Sequence, residues 1–291
     1  MNIKSLAYSI LSKIPLSLAN NNLRVLAYHT VPELESFRTQ LLYLKKRYHI
    51  ISIFELKEHL FQNKPLPEKS VLITFDDGDY SNYLNAFPVL KMESVPAVFF
   101  IITELINSDK TFWCRRVEEI YKKNGRTYQE ARDEVNRLKK IPNTERAKVI
   151  KEMPSVKSKQ LGLTEIRQLE NHNIIMGNHT HTHPMINKCT ADEICREMNL
   201  VKDNFTDWCL EGYPYFAYPN GNFDSNAEKI LISKGIKLAF LFDHKLNKTE
   251  INPMRISRIR VNADADLNEF KVKVSGLHST LLSLKNKIIK N

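Results

Sequence analysis

The sequence predicts an α/β protein built on a parallel sheet. Eight short runs rich in β-branched and aromatic residues predict strands, and stretches with helical spacing of apolar residues lie between them. Strands that alternate with helices are typical of parallel sheets, because a parallel pair of strands needs a long crossover connection. The predicted strands lie near residues 23–28, 48–53, 71–76, 96–102, 173–177, 214–218, 236–242 and 256–261.

The helices between these strands are predicted in chain order from spacing and from their first residues. After the first strand, a helix is predicted by the spacing of three or four residues between Phe37, Leu41, Leu44 and Tyr48. Three later helices begin at capping boxes, in which a serine or threonine precedes a glutamate by three residues. These pairs are Ser52 with Glu55, Thr190 with Glu193, and Ser225 with Glu228, and Gly235 closes the third helix.

Length, cysteines and charge bound the class of protein. The 291 residues suffice for one large domain, and no apolar stretch reaches the ~20 residues that span a bilayer. The four cysteines form no Cys-x-x-Cys pair, which predicts reduced thiols and a cytoplasmic location. A net charge of +10 suits an anionic glycan, an anionic membrane or nucleic acid, and a solvated lysine-rich surface is the simplest explanation. Because no nucleic-acid-binding motif accompanies the charge, no nucleic-acid partner is expected.

The main domain is expected at residues 21–278, with a segment at each end of it and an insertion within it. Residues 1–20 predict an amphipathic helix on the domain or at a membrane surface, because Lys13 and Pro15 interrupt the apolar run that a signal peptide needs. Residues 279–291 form a basic C-terminal tail. Residues 103–163 are highly charged, break the strand–helix rhythm and predict an inserted helical segment.

Two motifs about a hundred residues apart carry the chemistry. Asp76 and Asp77 follow the apolar run 71–75, and successive side chains of an extended chain point in opposite directions, so the two carboxylates can take different roles. His179 and His183 follow the apolar run 174–176 and lie four residues apart. At this spacing both side chains can lie on one face of a helical turn and bind the same ion.

Each motif has an ordinary explanation when it stands alone. Asp-Asp-Gly is usually a turn, and His-x-x-x-His is usually a surface pair. Here both follow predicted strands, and together they supply the parts of a metal-assisted hydrolase. One carboxylate can hold a divalent cation with the histidines, and the other can take a proton from water.

These motifs resemble those of the polysaccharide deacetylase family, the NodB-homology domain of carbohydrate esterase family 4. The Thr-Phe-Asp-Asp-Gly run at 74–78 and the histidine motif are the strong signals. Moderate support comes from Tyr-Pro-Asn-Gly at 218–221 and from Tyr-His-Thr-Val at 28–31. The resemblance spans roughly residues 23–277. It implies a distorted (β/α)7-type barrel, NodB-like, whose motifs lie at the C-terminal ends of the strands.

The resemblance also implies roles for individual residues. Asp77, His179 and His183 would hold a divalent metal, and Asp76 would be the general base. The Tyr-Pro-Asn-Gly run at 218–221 corresponds to the family's third motif. It implies substrate binding by Tyr218, Pro219 and Asn220, with a backbone N–H near Asn220 stabilising the oxyanion. The expected metal is Zn²⁺, although a set of two histidines and one aspartate also accepts Ni²⁺, Co²⁺ or Fe²⁺.

Two departures from the family pattern affect the catalytic residues. Ala217 stands where many members have the arginine that orients the base, and Arg258 is the candidate substitute; the alternative is a structural or surface cation. The late histidine that acts as acid in most members matches only His278. Because some members carry the equivalent histidine before the Asp-Asp block, His29 is preferred over His278. The family's fourth motif, an aspartate with a downstream tryptophan, has no match.

The resulting hypothesis is a metal-dependent hydrolase that removes N-acetyl groups from an amino sugar of a bacterial surface polysaccharide or its precursor. The substrate would be an N-acetylated glycan or a lipid-linked sugar, with peripheral membrane contact. The alternatives are a deformylase or O-deacetylase on the same scaffold, an inactive glycan-binding homologue, and a basic protein that docks to membrane or nucleic acid. The 103–163 segment could act as a lid, a substrate-selecting wall or a long connection, and Trp113 could stack on a sugar or be buried.

Overall fold

Eight parallel strands form one sheet in the computed structural model, which describes residues 3–13, 21–248 and 250–282. Every predicted strand is found, usually one to three residues shorter at its ends. The strands are β1 (Arg24–Tyr28), β2 (His49–Ile50), β3 (Ser70–Phe75), β4 (Ala97–Ile101), β5 (Ile174–Asn178), β6 (Tyr215–Ala217), β7 (Leu238–Phe240) and β8 (Ile259–Arg260).

The sheet curls into a distorted barrel. Its order is β7-β6-β5-β4-β3-β1-β8, and β2 pairs with the start of β3. The chain before β8 returns to the opposite edge, where Ile256 bridges to Phe240 at the end of β7. Four residues further on, Arg260 pairs with Ala27 of β1. A short stretch therefore contacts both edges of the sheet, and the predicted fold class is confirmed.

Alternate residues of the strands enter two separate cores, as the period of two in a strand requires. Leu26, Ile73 and Phe99 pack outward under helices. Leu72 and Phe100 belong to a second cluster with residues of β1, β6 and β7. Since this cluster joins strands from across the sheet, it fills the inside of the barrel.

Helices cover the outside of the sheet and largely follow the predicted positions. The capping boxes at Ser52 and Thr190 are present. The third prediction was wrong in detail: Asp224, not Ser225, caps its helix, because the Asp224 carboxylate accepts from the first backbone N–H groups. The helices are α1 (Ile3–Leu11), α2 (Leu34–Arg47), α3 (Ile53–Gln62), α4 (Phe87–Met92), α5 (Trp113–Lys123), α6 (Tyr128–Leu138), α7 (Asn143–Glu152), α8 (Leu163–Glu170), α9 (Ala191–Asp207), α10 (Ser225–Ser233) and α11 (Leu267–Ser275).

Helices α5, α6 and α7 lie within the predicted insertion and share a small core of their own. Trp113, Val117, Val135 and Leu138 form it together with Met185 from the main domain. The insertion is therefore packed against the loop that follows β5. The domain boundaries themselves stay predictions.

The N-terminal helix α1 lies against α11, where Ser12 Oγ donates to Asn268 Oδ1 at 3.1 Å. Residues 1–2 and 14–20 of the predicted N-terminal segment, and residues 283–291 of the predicted tail, lie outside the described part of the chain. Within that part, the helices are too short or too polar for any to cross a bilayer.

Candidate metal centre

The predicted chemical groups gather at the C-terminal ends of neighbouring strands. Asp76 directly follows β3, and its N–H donates to Tyr28 O of β1 at 2.9 Å. His179 directly follows β5, and its N–H donates to Ile101 O at the end of β4 at 3.1 Å. The barrel thus brings together residues that are a hundred positions apart in sequence, at the face where barrel enzymes build their sites.

A left-handed turn aims Asp77 at the two histidines. Asp77 and Gly78 both have φ of +69°, a conformation that aspartate tolerates and glycine adopts freely. Asp77 Oδ1 lies 3.4 Å from His179 Nε2 and 3.5 Å from His183 Nε2. One ligand atom from each residue lies within 4.8 Å of the other two, so the three can surround a single ion.

The orientation of the histidine rings fits a metal ion. His179 Nδ1 lies 2.9 Å from Ala217 O and must be the protonated nitrogen, because a carbonyl only accepts. Its Nε2 therefore offers a lone pair on the side of Asp77, the arrangement in which a backbone carbonyl fixes the tautomer of a metal-binding histidine. His183 Nε2 faces the same oxygen, while its buried Nδ1 has no hydrogen-bond partner among the described residues.

The charges of the three groups also suit a cation. Burial raises the pKa of Asp77, but the hydrogen bond from His179 and the charge of His183 outweigh it, so the pKa lies far below its usual range. Burial and the neighbouring His179 lower the pKa of His183 well below its ordinary value. Burial lowers the pKa of His179 too, yet the bond to Asp77 raises it overall. A divalent ion would replace that bond and favour the neutral ring.

Arg258 lies against Asp76 and forms a bidentate ion pair with it. Its Nη1 and Nη2 donate to the two Asp76 oxygens at 2.6 and 2.8 Å, and Nε donates to Leu241 O at 2.8 Å. The Arg258 side chain has no exposed surface, which excludes a surface cation. Burial raises the pKa of Asp76, but Arg258 and the neighbouring histidines lower it by more. The pKa is therefore below its ordinary value, and the carboxylate is ionised at neutral pH. The catalytic role of Arg258 stays a prediction.

Of the two candidate acids, the structure places His29 beside the carboxylates. The charges of Asp77 and Asp76 act on the His29 ring, which packs against Phe242. Burial lowers the pKa of His29 below its ordinary value despite those carboxylates. Burial and the charge of His278, by contrast, lower the pKa of His244. These charges agree with the preference for His29 over His278, and the role of His29 as the acid stays a prediction.

Two side chains of the third motif are buried. The Tyr218 side chain is fully buried in a core cluster, and its hydroxyl donates to Met254 O at 3.3 Å. Pro219 is buried as well. These two side chains present no surface to a substrate, so binding by Tyr218 and Pro219 would have to use their backbone, and the substrate-binding role of the motif stays a prediction. Asn220 is exposed, has φ of +58°, and accepts from Lys139 Nζ at 2.8 Å.

Several residues contact the loop 179–183 in a way that was not predicted from the sequence. Glu197 of α9 accepts hydrogen bonds from the loop backbone, and Trp113 and Arg146 of the insertion donate to it. An available signal was Glu197 itself, an acid within the apolar stripe of Ile194 and Val201. Trp113 is 7% exposed, so the buried alternative holds and the ring is not free to stack on a sugar.

A family model and two curated relatives that match this chain are polysaccharide deacetylases by name. The family model described as "Polysaccharide deacetylase" matches residues 63–239. The poly-beta-1,6-N-acetyl-D-glucosamine N-deacetylase of Staphylococcus aureus (strain MRSA252) is 27% identical over 241 residues, covering 79% of this chain and 67% of the relative. The enzyme of the same name from Staphylococcus epidermidis is 27% identical over 238 residues, covering 79% of this chain and 68% of the relative.

Two solved structures share the fold. The Streptococcus pyogenes deacetylase PplD, in complex with acetate, superimposes with a TM-score of 0.64 and 18% identity, over 88% of this chain and 99% of that chain. IcaB from Ammonifex degensii superimposes with a TM-score of 0.60 and 22% identity, over 88% of this chain and 97% of that chain.

Proposed function

Because the chain belongs to the polysaccharide deacetylase family, we propose that it is a metal-dependent N-deacetylase of an amino-sugar polymer. As a member, it is a hydrolase of carbon–nitrogen bonds. The observation that carries the proposal is the pairing of the Asp77–His179–His183 cluster with an ionised Asp76 held by Arg258. This arrangement supplies a cation site and a base side by side at one end of the barrel.

The proposed substrate is a bacterial surface polysaccharide made of N-acetylglucosamine, or a precursor of that polysaccharide. The support is the name of the staphylococcal relatives, which are deacetylases of poly-beta-1,6-N-acetyl-D-glucosamine. The absence of a Cys-x-x-Cys pair among the four cysteines motivates the further proposal of a cytoplasmic location. The net charge of +10 and the helix α1 motivate the proposal of peripheral membrane contact.

Asp77, His179 and His183 are the residues that would hold the metal, with Zn²⁺ the first choice and Ni²⁺, Co²⁺ or Fe²⁺ as candidates. When bound, such an ion acts as a Lewis acid on the acetamide carbonyl and makes water more acidic. Three protein ligands leave coordination positions for substrate and water, as catalytic sites require.

The residues of the chain then perform hydrolysis by moving one proton in each direction. Asp76 takes a proton from water as the water oxygen attacks the acetamide carbon. Arg258 keeps Asp76 ionised and fixes both of its oxygens. The proton released from water then passes to His29, and as the carbon–nitrogen bond breaks His29 gives it to the departing amine. Acetate and a free amino sugar are the products.

A chelation experiment tests this proposal. Purified protein is incubated with N-acetylglucosamine oligomers, and acetate is measured before chelator treatment, after it, and after Zn²⁺ is added back. We expect acetate release that stops with the metal removed and returns with Zn²⁺, because the carbonyl is not polarised without a cation.

The same experiment separates the alternatives. Release of formate from N-formylated oligomers, or of acetate from O-acetylated ones only, would identify a deformylase or an O-deacetylase. Bound metal without turnover on any of these substrates would favour an inactive glycan-binding protein. A protein that binds no metal after reconstitution would contradict the mechanism.

A further inference from the structure

We infer that the helical insertion and α9 act as a support for the metal centre, with Glu197, Trp113 and Arg146 as positioning residues for His183. The inference deepens the proposed function, since it rests on the metal site formed by Asp77, His179 and His183. It gives the insertion a role that differs from a lid or a wall that selects substrates.

The loop that carries His183 has an unfavourable backbone shape. Thr180 has φ of +70° and His183 has φ of +55°, in the left-handed region that residues with a β-carbon rarely adopt. For a β-branched threonine this is a true outlier. Such conformations persist only where surrounding contacts hold them, and they cluster at functional sites. The loop therefore depends on its neighbours to present His183 correctly.

Glu197 holds the loop from the side of α9. Its Oε2 accepts from the backbone N–H groups of His181 at 2.7 Å and Thr182 at 2.8 Å. Its Oε1 accepts from Thr182 Oγ1 at 2.7 Å. Glu197 is only 8% exposed, so these bonds form in a place where an unsatisfied carboxylate is costly. An acid within an apolar helix stripe is thus explained by the loop that it binds.

The insertion binds the loop at His183 itself. Trp113 Nε1 of α5 donates to His183 O at 3.2 Å, and Arg146 Nη1 of α7 donates to the same oxygen at 3.0 Å. Arg146 also donates to Asn143 Oδ1 at 2.6 Å and stacks on the Trp113 ring. The Phe112 ring contacts the His183 ring edge to face, with 4.8 Å between centroids.

The two metal histidines are consequently held in different ways. The backbone of His179 is bonded to β4, and its ring to Ala217 at the end of β6. The N–H of His183 donates to Thr180 Oγ1, and its carbonyl oxygen accepts from Trp113 and Arg146. Of the two histidines, His183 is the one whose own backbone accepts hydrogen bonds from the insertion, within the part of the chain that the structure describes. Outer residues that orient a ligand typically change metal affinity about 10–100-fold when they are lost.

The test measures Zn²⁺ affinity, which needs no substrate. Glu197→Gln keeps the shape but loses the charge, Trp113→Phe loses the indole donor, and Arg146→Met loses the guanidinium. The dissociation constant for Zn²⁺ is obtained by competition with a chromophoric chelator, and the melting temperature of the metal-free protein is recorded in parallel. We expect the dissociation constant to rise about 10–100-fold in each variant. Arg146→Lys, which restores a donor, should recover part of the loss.

Matched controls come from the same helices. Asp203→Asn removes an exposed acid from α9, and Lys148→Met removes an exposed cation from α7. Both should leave the dissociation constant within twofold of the wild type. Should Glu197→Gln fail to fold, Trp113→Phe still decides the question.

Wild-type affinity in folded Trp113→Phe and Arg146→Met variants would overturn the inference, even if deacetylation is confirmed. A loss of affinity that only follows a lower melting temperature of the metal-free protein, with no recovery in Arg146→Lys, would overturn it too. A different result would separate the two proposals. If the wild type binds Zn²⁺ but releases no acetate, while the variants lose Zn²⁺ affinity, the proposed function is contradicted and the positioning role of these residues stands.

Discussion

Asp76→Asn is expected to lower kcat/KM for acetate release by about 10²–10⁴-fold while the protein keeps its metal. Asparagine has nearly the shape of aspartate but cannot take a proton from water. Asp77, His179 and His183 are unchanged in this variant, so metal binding should persist. Metal content and acetate release measured on the same samples separate loss of the base from loss of the cation.

The control for this prediction is Asp264→Asn, which removes an exposed carboxylate outside the site and should leave the rate unchanged. Assays must be run well below the melting temperature of Asp76→Asn, because that variant also leaves the Arg258 guanidinium without its carboxylate. A rate for Asp76→Asn within a few-fold of wild type, with metal bound, would rule out Asp76 as the base.

Arg258→Met is expected to lower the free energy of unfolding by about 3–5 kcal/mol. Arg258 has no exposed surface and the Asp76 side chain is 4% exposed, so the substitution leaves a carboxylate buried without its cation. Methionine preserves most of the apolar stem. Urea denaturation of wild type, Arg258→Met, Asp76→Asn and the double variant gives the coupling energy of the pair.

The double variant Asp76→Asn with Arg258→Met should be less destabilised than the sum of the two single variants, because no unpaired charge remains buried in it. Additive losses would mean that the two side chains do not form the ion pair in solution. Arg260→Met, on the neighbouring exposed side chain, is the control and should change the free energy of unfolding little.

The same pair predicts how stability responds to acid. The pKa of Asp76 in the folded protein lies below its ordinary value. Its contribution to stability is therefore fully present above the pKa of the unfolded chain, about 3.9, and is lost as pH falls through the lower folded value. Between pH 7 and about pH 3, wild type should lose more stability than the double variant, which lacks this carboxylate. Parallel acid denaturation curves would contradict this.

Local patterns in the sequence sufficed to predict the sheet and the centre of the site. Runs rich in β-branched and aromatic residues located all eight strands, because strands buried on both faces of a parallel sheet are mostly apolar. Asp76, Asp77 and His179 were identifiable since each lies within three residues of the end of such a run, and the ends of parallel strands meet at one edge. The resemblance to a known family then supplied roles that spacing alone does not contain.

Contacts between distant segments were decided only by the tertiary structure. The sequence named Arg258 as a candidate, but its two bonds to Asp76 cross 182 residues and follow from the curl of the sheet. Burial of Tyr218 depends on what packs over the end of β6, and the bonds from Trp113 to the His183 loop depend on where the insertion docks. The sequence by itself determined which residues end the strands, because strand burial is a local pattern. Which distant side chains orient those residues was decided by packing, because hydrogen bonds between remote segments leave no periodic signal in the chain.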